Sequence, residues 1–191
     1  ENAMVRITAD LTALTSRVEK EMDAKLASIF EAHRTMLNDA ALKEELRKEI
    51  RSELVSAGSA VKTVFRRWER RFRSMEAEIA RQKGDDVTDL GRRLLSSLAG
   101  IRAHALEKLP PGSVLVAKRL LPSDTLFLGR RSAAAAILES GGPSSHAALF
   151  AREIGLPCVT GIPNVTNLIP SGANALVDAD SGEVTINPSD E

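Results

Sequence analysis

The chain has 191 residues, is 43% hydrophobic and 27% charged, and balances 26 Lys/Arg against 26 Asp/Glu. That length and apolar content fit a soluble globular class of one domain or two small ones. Zero net charge argues against a general nucleic-acid or membrane-surface binder. Cys158 is the only cysteine, so no intrachain disulfide is possible, and no apolar run approaches the roughly 18 residues a bilayer span needs. The opening ENAMVR lacks the apolar core of a signal peptide, so a cytoplasmic setting is expected. Its Asn-Ala-Met reads as an expression-vector remnant covering residues 1–4.

From residue 7 to residue 108 there is no proline, and apolar residues recur at steps of three and four. Leu11, Leu14, Val18, Met22, Leu26, Ile29, His33 and Met36 form one helical stripe. Asn38-Asp39 can cap a second helix carrying Leu42, Leu46, Ile50 and Leu54. Gly58-Ser59 is expected to interrupt it. Val61, Val64, Phe65, Trp68, Phe72, Met75 and Ile79 make a third stripe. Gly84-Asp85-Asp86 is expected to break and cap again, ahead of Val87, Leu90, Leu94 and Leu98. Long amphipathic helices with short breaks imply antiparallel neighbours, hence a small bundle over 1–108. The run RRWERRFR (66–73) alternates its charges around Trp68 and Phe72, which reads as a solvated helix face rather than a nucleic-acid site.

The texture changes at Leu109. Pro110-Pro111-Gly112 reads as a turn or linker. SVLVAKRL reads as a strand, PSDTLFLG as a loop with a short helical turn capped by Ser123 or Asp124, and AAAAILES as a buried strand. SSHAALFAREIG reads as a helix, and PCVTG, NALVDA and EVTINP as short strands. Strands mixed with short helices predict an α/β or α+β domain over 109–191. Cys158 is expected to pack in the strand after Pro157.

The junction before the predicted helix draws attention. Ser144 or Ser145 is a natural N-cap, and Ala147, Phe150, Ala151 and Ile154 form the buried stripe. Gly155 is the expected stop, with Pro157 behind it. His146 therefore falls in the first turn, at the positive end of the helix, where an anion is favoured. Gly141 and Gly142 let another molecule approach the backbone closely. An imidazole presented this way can accept a phosphoryl group. A histidine after a glycine turn can equally be a cap or a surface residue. His33 and His104 are not spaced to share a metal site with it. There is no Gly-x-Ser-x-Gly elbow and no Gly-x-x-x-x-Gly-Lys loop.

GGPSSHAALFAREIGLPCVTG (141–161) resembles the phosphohistidine signature of phosphoenolpyruvate-utilising enzymes. IFEAHRTMLNDAALKEEL (29–46), DDVTDLGRRLLSSLAG (85–100) and LLPSDTLFL (120–128) resemble enzyme I of the bacterial sugar phosphotransferase system, in its N-terminal half. The resemblance implies an α+β architecture: an antiparallel, carrier-docking helical bundle over 1–108 and a swivelling α/β phosphohistidine domain over 109–191. It implies that phosphoenolpyruvate phosphorylates His146 at Nε2 and that the group passes to HPr or an HPr-like carrier. Thr125 would orient the ring, and Gly141, Gly142, Ser144 and Ser145 would line the phosphate site. Arg152 is fixed in the signature and would reach a phosphate or a carboxylate. His33, Met36, Leu37 and Leu42 match the carrier-docking helices, although residues that are acidic in the family are here Ala40 and Ala41.

The resemblance also implies a missing C-terminal barrel that binds phosphoenolpyruvate and Mg²⁺, so no cofactor is expected in this chain, and a missing first strand of the α/β domain. Phosphoenolpyruvate alone is therefore not expected to be converted. Two other homes share parts of the pattern: an enzyme-I-like domain of a multiphosphoryl transfer protein serving dihydroxyacetone kinase, and a swivelling domain of a phosphoenolpyruvate synthase or dikinase. A docking module with a merely structural histidine is the non-enzymatic alternative.

Overall fold

The computed structural model describes residues 1–101, 103–130, 133–142 and 145–189, with backbone only at 78, 79, 129 and 130. The chain forms two compact units, Glu1–Ala103 and His104–Glu191. Residues 104–108, expected to close the helical part, belong to the second unit because His104 stacks on Phe127 there.

The first unit contains α1 (Asn2–Glu21), α2 (Ala24–Asn38), α3 (Ala40–Glu53), α4 (Ala57–Arg73) and α5 (Glu78–Leu98). Side-chain caps set three of the starts. Asp23 accepts from the Lys25 N–H at 2.6 Å, Asp39 from Leu42 at 2.9 Å, and Ser56 from Ser59 at 3.2 Å. The start of α1 meets the end of α5, where Arg6 donates to the Ser97 carbonyl at 3.3 Å. Residues 2–4 belong to α1, and Ala3 is buried in it. Phe30, Leu11, Leu37, Leu42, Leu90 and Leu94 are among the fully buried side chains.

Three expected helix boundaries move. The stripe from Leu11 to Met36 is divided at Met22 and Asp23, since both helices face one core across a two-residue turn. The break expected at Gly58-Ser59 falls at Leu54–Ser56: Leu54 ends α3 in a left-handed conformation (φ 51°), and Gly58 sits inside α4. The break expected at Gly84-Asp85-Asp86 is continuous helix. Gly84 clears room for Arg73, whose Cγ would lie 2.9 Å from an added Cβ, and Arg73 bridges Glu69 (2.9 Å) and Asp85 (2.6 Å). Met75 is exposed beyond the end of α4, while the side chain of Ile79, also assigned to the third stripe, lies outside the described residues.

The second unit opens with a 3₁₀ turn, Ala105–Lys108, and a turn in which Ser113 N–H donates to the Pro110 carbonyl and Gly112 takes φ 76°. Then follow β1 (Val114–Ala117), α6 (Pro122–Arg130), β2 (Ala135–Leu138), α7 (His146–Glu153), β3 (Cys158–Thr160), α8 (Val165–Leu168), β4 (Ala175–Asp178) and β5 (Glu183–Ile186). β1, β2 and β3 form a parallel sheet with β2 central and buried at all four residues. That burial explains its unbroken apolar sequence. β4 and β5 pair antiparallel, and Asp178 binds the turn between them through the N–H groups of Asp180 and Ser181.

Two readings change here. PSDTLFLG lies in a nine-residue helix, Pro122–Arg130, rather than in a loop with a short helical turn. Pro122 suits its first position, and Asp124 reaches back to the Leu121 N–H at 2.9 Å, the carboxylate half of a capping box. The turn of helix α8 had no periodic signal to announce it. Beneath α7, Ala147 and Ala151 pack with Leu120, Leu128, Ala136, Leu138 and Leu156.

Candidate functional site

The site grows from the carboxyl end of the central strand, where open parallel sheets place their ligands. Past Leu138 the ladder continues briefly: Glu139 and Ser140 N–H groups donate to the carbonyls of Ala117 and Lys118. The Glu139 carboxylate then accepts from the hydroxyl (2.6 Å) and N–H (3.2 Å) of Thr166 on α8. The Thr166 hydroxyl, together with the Lys118 charge, holds this carboxyl below its ordinary range.

Gly141 follows with φ 146°, a region that favours glycine, and its carbonyl accepts from Thr160 Oγ1 at 2.8 Å. The end of β3 thereby pins the loop. The Ser145 N–H donates to the Gly142 carbonyl at 3.0 Å. Ser145 is the N-cap: its Oγ accepts from the Ala148 N–H at 3.2 Å. Ser144 lies outside the described residues.

His146 is the first residue of α7 and is half-buried, with Nδ1 sheltered from solvent. α7 buries Ala147, Phe150 and Ala151 and ends in a Schellman motif: Leu156 N–H donates to Ala151 and Gly155 N–H to Arg152, with Gly155 at φ 65°. Both ends of the helix are thus fixed locally, and with them the place of His146.

α6 packs on α7. Thr125 lies fully buried in its first turn, and its hydroxyl donates to the Pro122 carbonyl at 2.8 Å. With its hydrogen used there, the Thr125 oxygen has only lone pairs to offer a neighbour. Arg152 occupies the last turn of α7 and is exposed. Six residues along a helix is about 9 Å of rise, so its backbone stands well away from the first turn. Cys158 is half-buried in β3, and burial pushes its thiol pKa up, which keeps it protonated.

The residues matched to carrier docking divide. His33, Leu37 and Leu42 are buried in the helical unit and offer no surface in this structure. The cause is helical phase: 33 and 37 continue the core face of Leu26 and Phe30. His33 Nε2 lies 3.1 Å from Asp86 Oδ1, whose other oxygen takes Lys83 at 3.0 Å. Asp86 is therefore a core partner of His33, a role that its place beside Gly84 disguised as a cap. Met36 alone of the four keeps partial exposure.

Among the described residues no group of three or more His, Cys, Asp or Glu side chains is placed to hold a metal, and no helix is long and apolar enough to cross a membrane. The helical unit and the small α/β unit each match a profile of the phosphoenolpyruvate-utilising enzymes. Residues 1–83 match the family profile for the N-terminal domain of these enzymes, and residues 109–182 match the profile for their mobile domain.

The particular family is then clear. A solution structure of enzyme I is 30% identical and superposes with a TM-score of 0.68 over 99% of this chain and 76% of that one. The N-terminal domain of a nitrogen enzyme I gives 25% identity and a TM-score of 0.62, covering 98% and 76%. A phosphoenolpyruvate-protein phosphotransferase of Haloferax volcanii is 34% identical over 100% of this chain and 34% of its own length; one from Staphylococcus carnosus is 30% identical over 99% and 33%. The chain belongs to the enzyme I family of phosphoenolpyruvate-protein phosphotransferases and corresponds to its N-terminal part. It spans about a third of the length of the curated relatives it matches.

Proposed function

We propose that the chain is a phosphoryl-transfer module in which His146 accepts a phosphoryl group originating from phosphoenolpyruvate and passes it to HPr or an HPr-like carrier. The observation that carries this reading is the placement of His146. It heads α7 behind a serine cap, at the carboxyl end of the central strand, inside the stretch that matches the mobile domain.

The chemistry follows from the groups present. Thr125, as acceptor, would receive a hydrogen bond from Nδ1–H, which keeps the proton on Nδ1 and the lone pair on Nε2. That nitrogen attacks phosphorus in line, an N–P bond forms, and the P–O bond to the enolate breaks; the enolate takes a proton to become pyruvate. In the second half-reaction a carrier histidine attacks the same phosphorus and the bond to His146 breaks. First-turn N–H groups of α7 favour the equatorial oxygens, and the Ser145 hydroxyl, which accepts in its cap, still has a hydrogen to donate. Gly141 and Gly142 leave the phosphate an open approach.

Mg²⁺ is expected to serve the phosphoenolpyruvate half-reaction in the C-terminal domain of the full-length relatives. The described residues include no ligand set suited to it. The helical unit is proposed as the carrier's docking partner, with Met36 the one partly exposed residue of the four expected contacts.

The test is transfer from phosphorylated HPr to this chain and to His146→Ala, followed by intact mass. One acid-labile phosphoryl group on the wild type alone is expected. A folded wild-type chain that stays unmodified while still binding the carrier would make it a docking module instead.

A further inference from the structure

We propose that His104 is a positioning residue for the His146 site, acting through Asp124 and the first turn of α6; the proposal rests on the phosphoryl-acceptor reading above. Spacing gave His104 no metal partners and no other use. The structure gives its ring three contacts. The ring stacks on Phe127 with centroids 4.1 Å apart and planes within 10°. Its Nδ1 accepts from the Leu106 N–H at 3.2 Å. Its Nε2 lies 3.1 Å from Asp124 Oδ1, and the side chain is only 17% exposed. Asp124 in turn gives Oδ2 to the Leu121 N–H at 2.9 Å.

These contacts determine the tautomer and the direction of force. A nitrogen that accepts carries no proton, so the proton of neutral His104 sits on Nε2 and is donated to Asp124. Capping of α6 needs only Oδ2. The second oxygen, held by His104, stops the carboxylate from rotating, and Phe127 one turn later holds the same helix face. The first turn of α6 is thereby fixed at two points. Thr125 is the next residue after Asp124, is fully buried, and has its hydroxyl hydrogen committed to Pro122. Its oxygen can therefore only accept, and its place depends on the turn that His104 holds. α6 packs on α7, where His146 begins. A small displacement of an orienting acceptor is costly to a transfer that requires an aligned lone pair.

The test uses the full 191-residue chain with His104→Leu, which keeps apolar contact with Phe127 but loses both bonds. His104→Gln retains a donor for Asp124. Asp124→Asn keeps the cap but faces His104 with a second donor. Phosphorylated HPr is the donor, and the ring nitrogens of His146 are followed by ¹⁵N NMR. For His104→Leu and Asp124→Asn, kcat should fall about tenfold or more with KM unchanged, and His146 should drift from one tautomer to a mixture. His104→Gln should recover much of both.

Unchanged kcat and unchanged His146 shifts in folded Asp124→Asn and His104→Gln, and in His104→Leu where it folds, would overturn the proposal, whatever the melting temperatures do. If wild-type His146 takes no phosphoryl group, the parent reading fails on that arm. The tautomer arm still decides whether His104 governs the ring.

Discussion

Gly141 carries the sharpest local demand in the site. Its φ of 146° is costly for any residue with a Cβ, whereas an added Cβ would meet Ser145 Oγ and Thr160 Cγ2 only at 3.6 Å, an ordinary contact. Gly141→Ala should therefore act through backbone strain rather than a clash, costing about 1 to 3 kcal/mol in a urea melt. Because the Gly141 carbonyl is tied to Thr160, the shifted loop should also slow phosphorylation of His146 by about tenfold. Wild-type kinetics in the alanine variant would refute a positioning role for the loop. Two residues earlier, Glu139 reports on the same loop by titration. Its hydrogen bond from Thr166 holds the folded carboxyl below the ordinary 4.5. A depressed carboxyl adds stability that is complete above its unfolded pKa and is lost as pH falls through the folded one. Thr166→Val should melt below the wild type at neutral pH, and the two curves should converge in acid. Parallel curves at every pH would show that the tie is unused.

At the scale of elements, α4 and α5 pack tightly where Gly91 faces Phe65. A Cβ on Gly91 would lie 3.0 to 3.2 Å from Phe65 Cδ1, Cγ and Cβ. The last of these moves only with the α4 backbone. Alanine gains about 1 kcal/mol of helix propensity over glycine, but overpacking a well-packed core costs about 1 to 3 kcal/mol. Gly91→Ala should lose roughly 1 kcal/mol net on that balance; a gain in the urea midpoint would mean the helices can part freely. Much of this level was legible in the sequence. The period-3.6 stripes marked the helices, AAAAILES was rightly read as a buried strand, and Ser145 and Gly155 bounded α7. Two of the boundary errors share a cause, since glycine has two uses. Gly58 and Gly84 were read as breakers, yet Gly84 makes room for Arg73 within a helix, while the break near Gly58 was made by Leu54, a residue with no preference for a left-handed turn. Tertiary pairs had no local signal at all. His33 with Asp86 is separated by 53 residues, and His104 with Asp124 depends on a stack no spacing rule contains. The family resemblance made His33 an expected carrier contact, whereas its place on the apolar stripe and its Asp86 partner hold it in the core.

At the scale of the whole molecule, the question is which half-reaction this chain can perform. It matches the N-terminal and mobile domains of its family yet spans about a third of its curated relatives. His146, its Ser145 cap, the Gly141 loop and Thr125 all lie within His104–Glu191, while the described residues contain no carboxylate cluster able to hold a metal. Transfer between histidines needs only an aligned nucleophile and a bound phosphoryl donor, because imidazole is a good leaving group from phosphohistidine. Phosphoenolpyruvate presents a small, triply charged substrate whose charge must be neutralised at the moment of transfer. The 191-residue chain should therefore become labelled on His146 by phosphorylated HPr and stay unlabelled with phosphoenolpyruvate and Mg²⁺ over the same time. Adding the C-terminal two-thirds of a relative as a separate protein should restore labelling from phosphoenolpyruvate, read as phosphate on His146 by intact mass and peptide mapping. Direct labelling of the chain by phosphoenolpyruvate would place a substrate site within these residues and overturn the division of labour argued here.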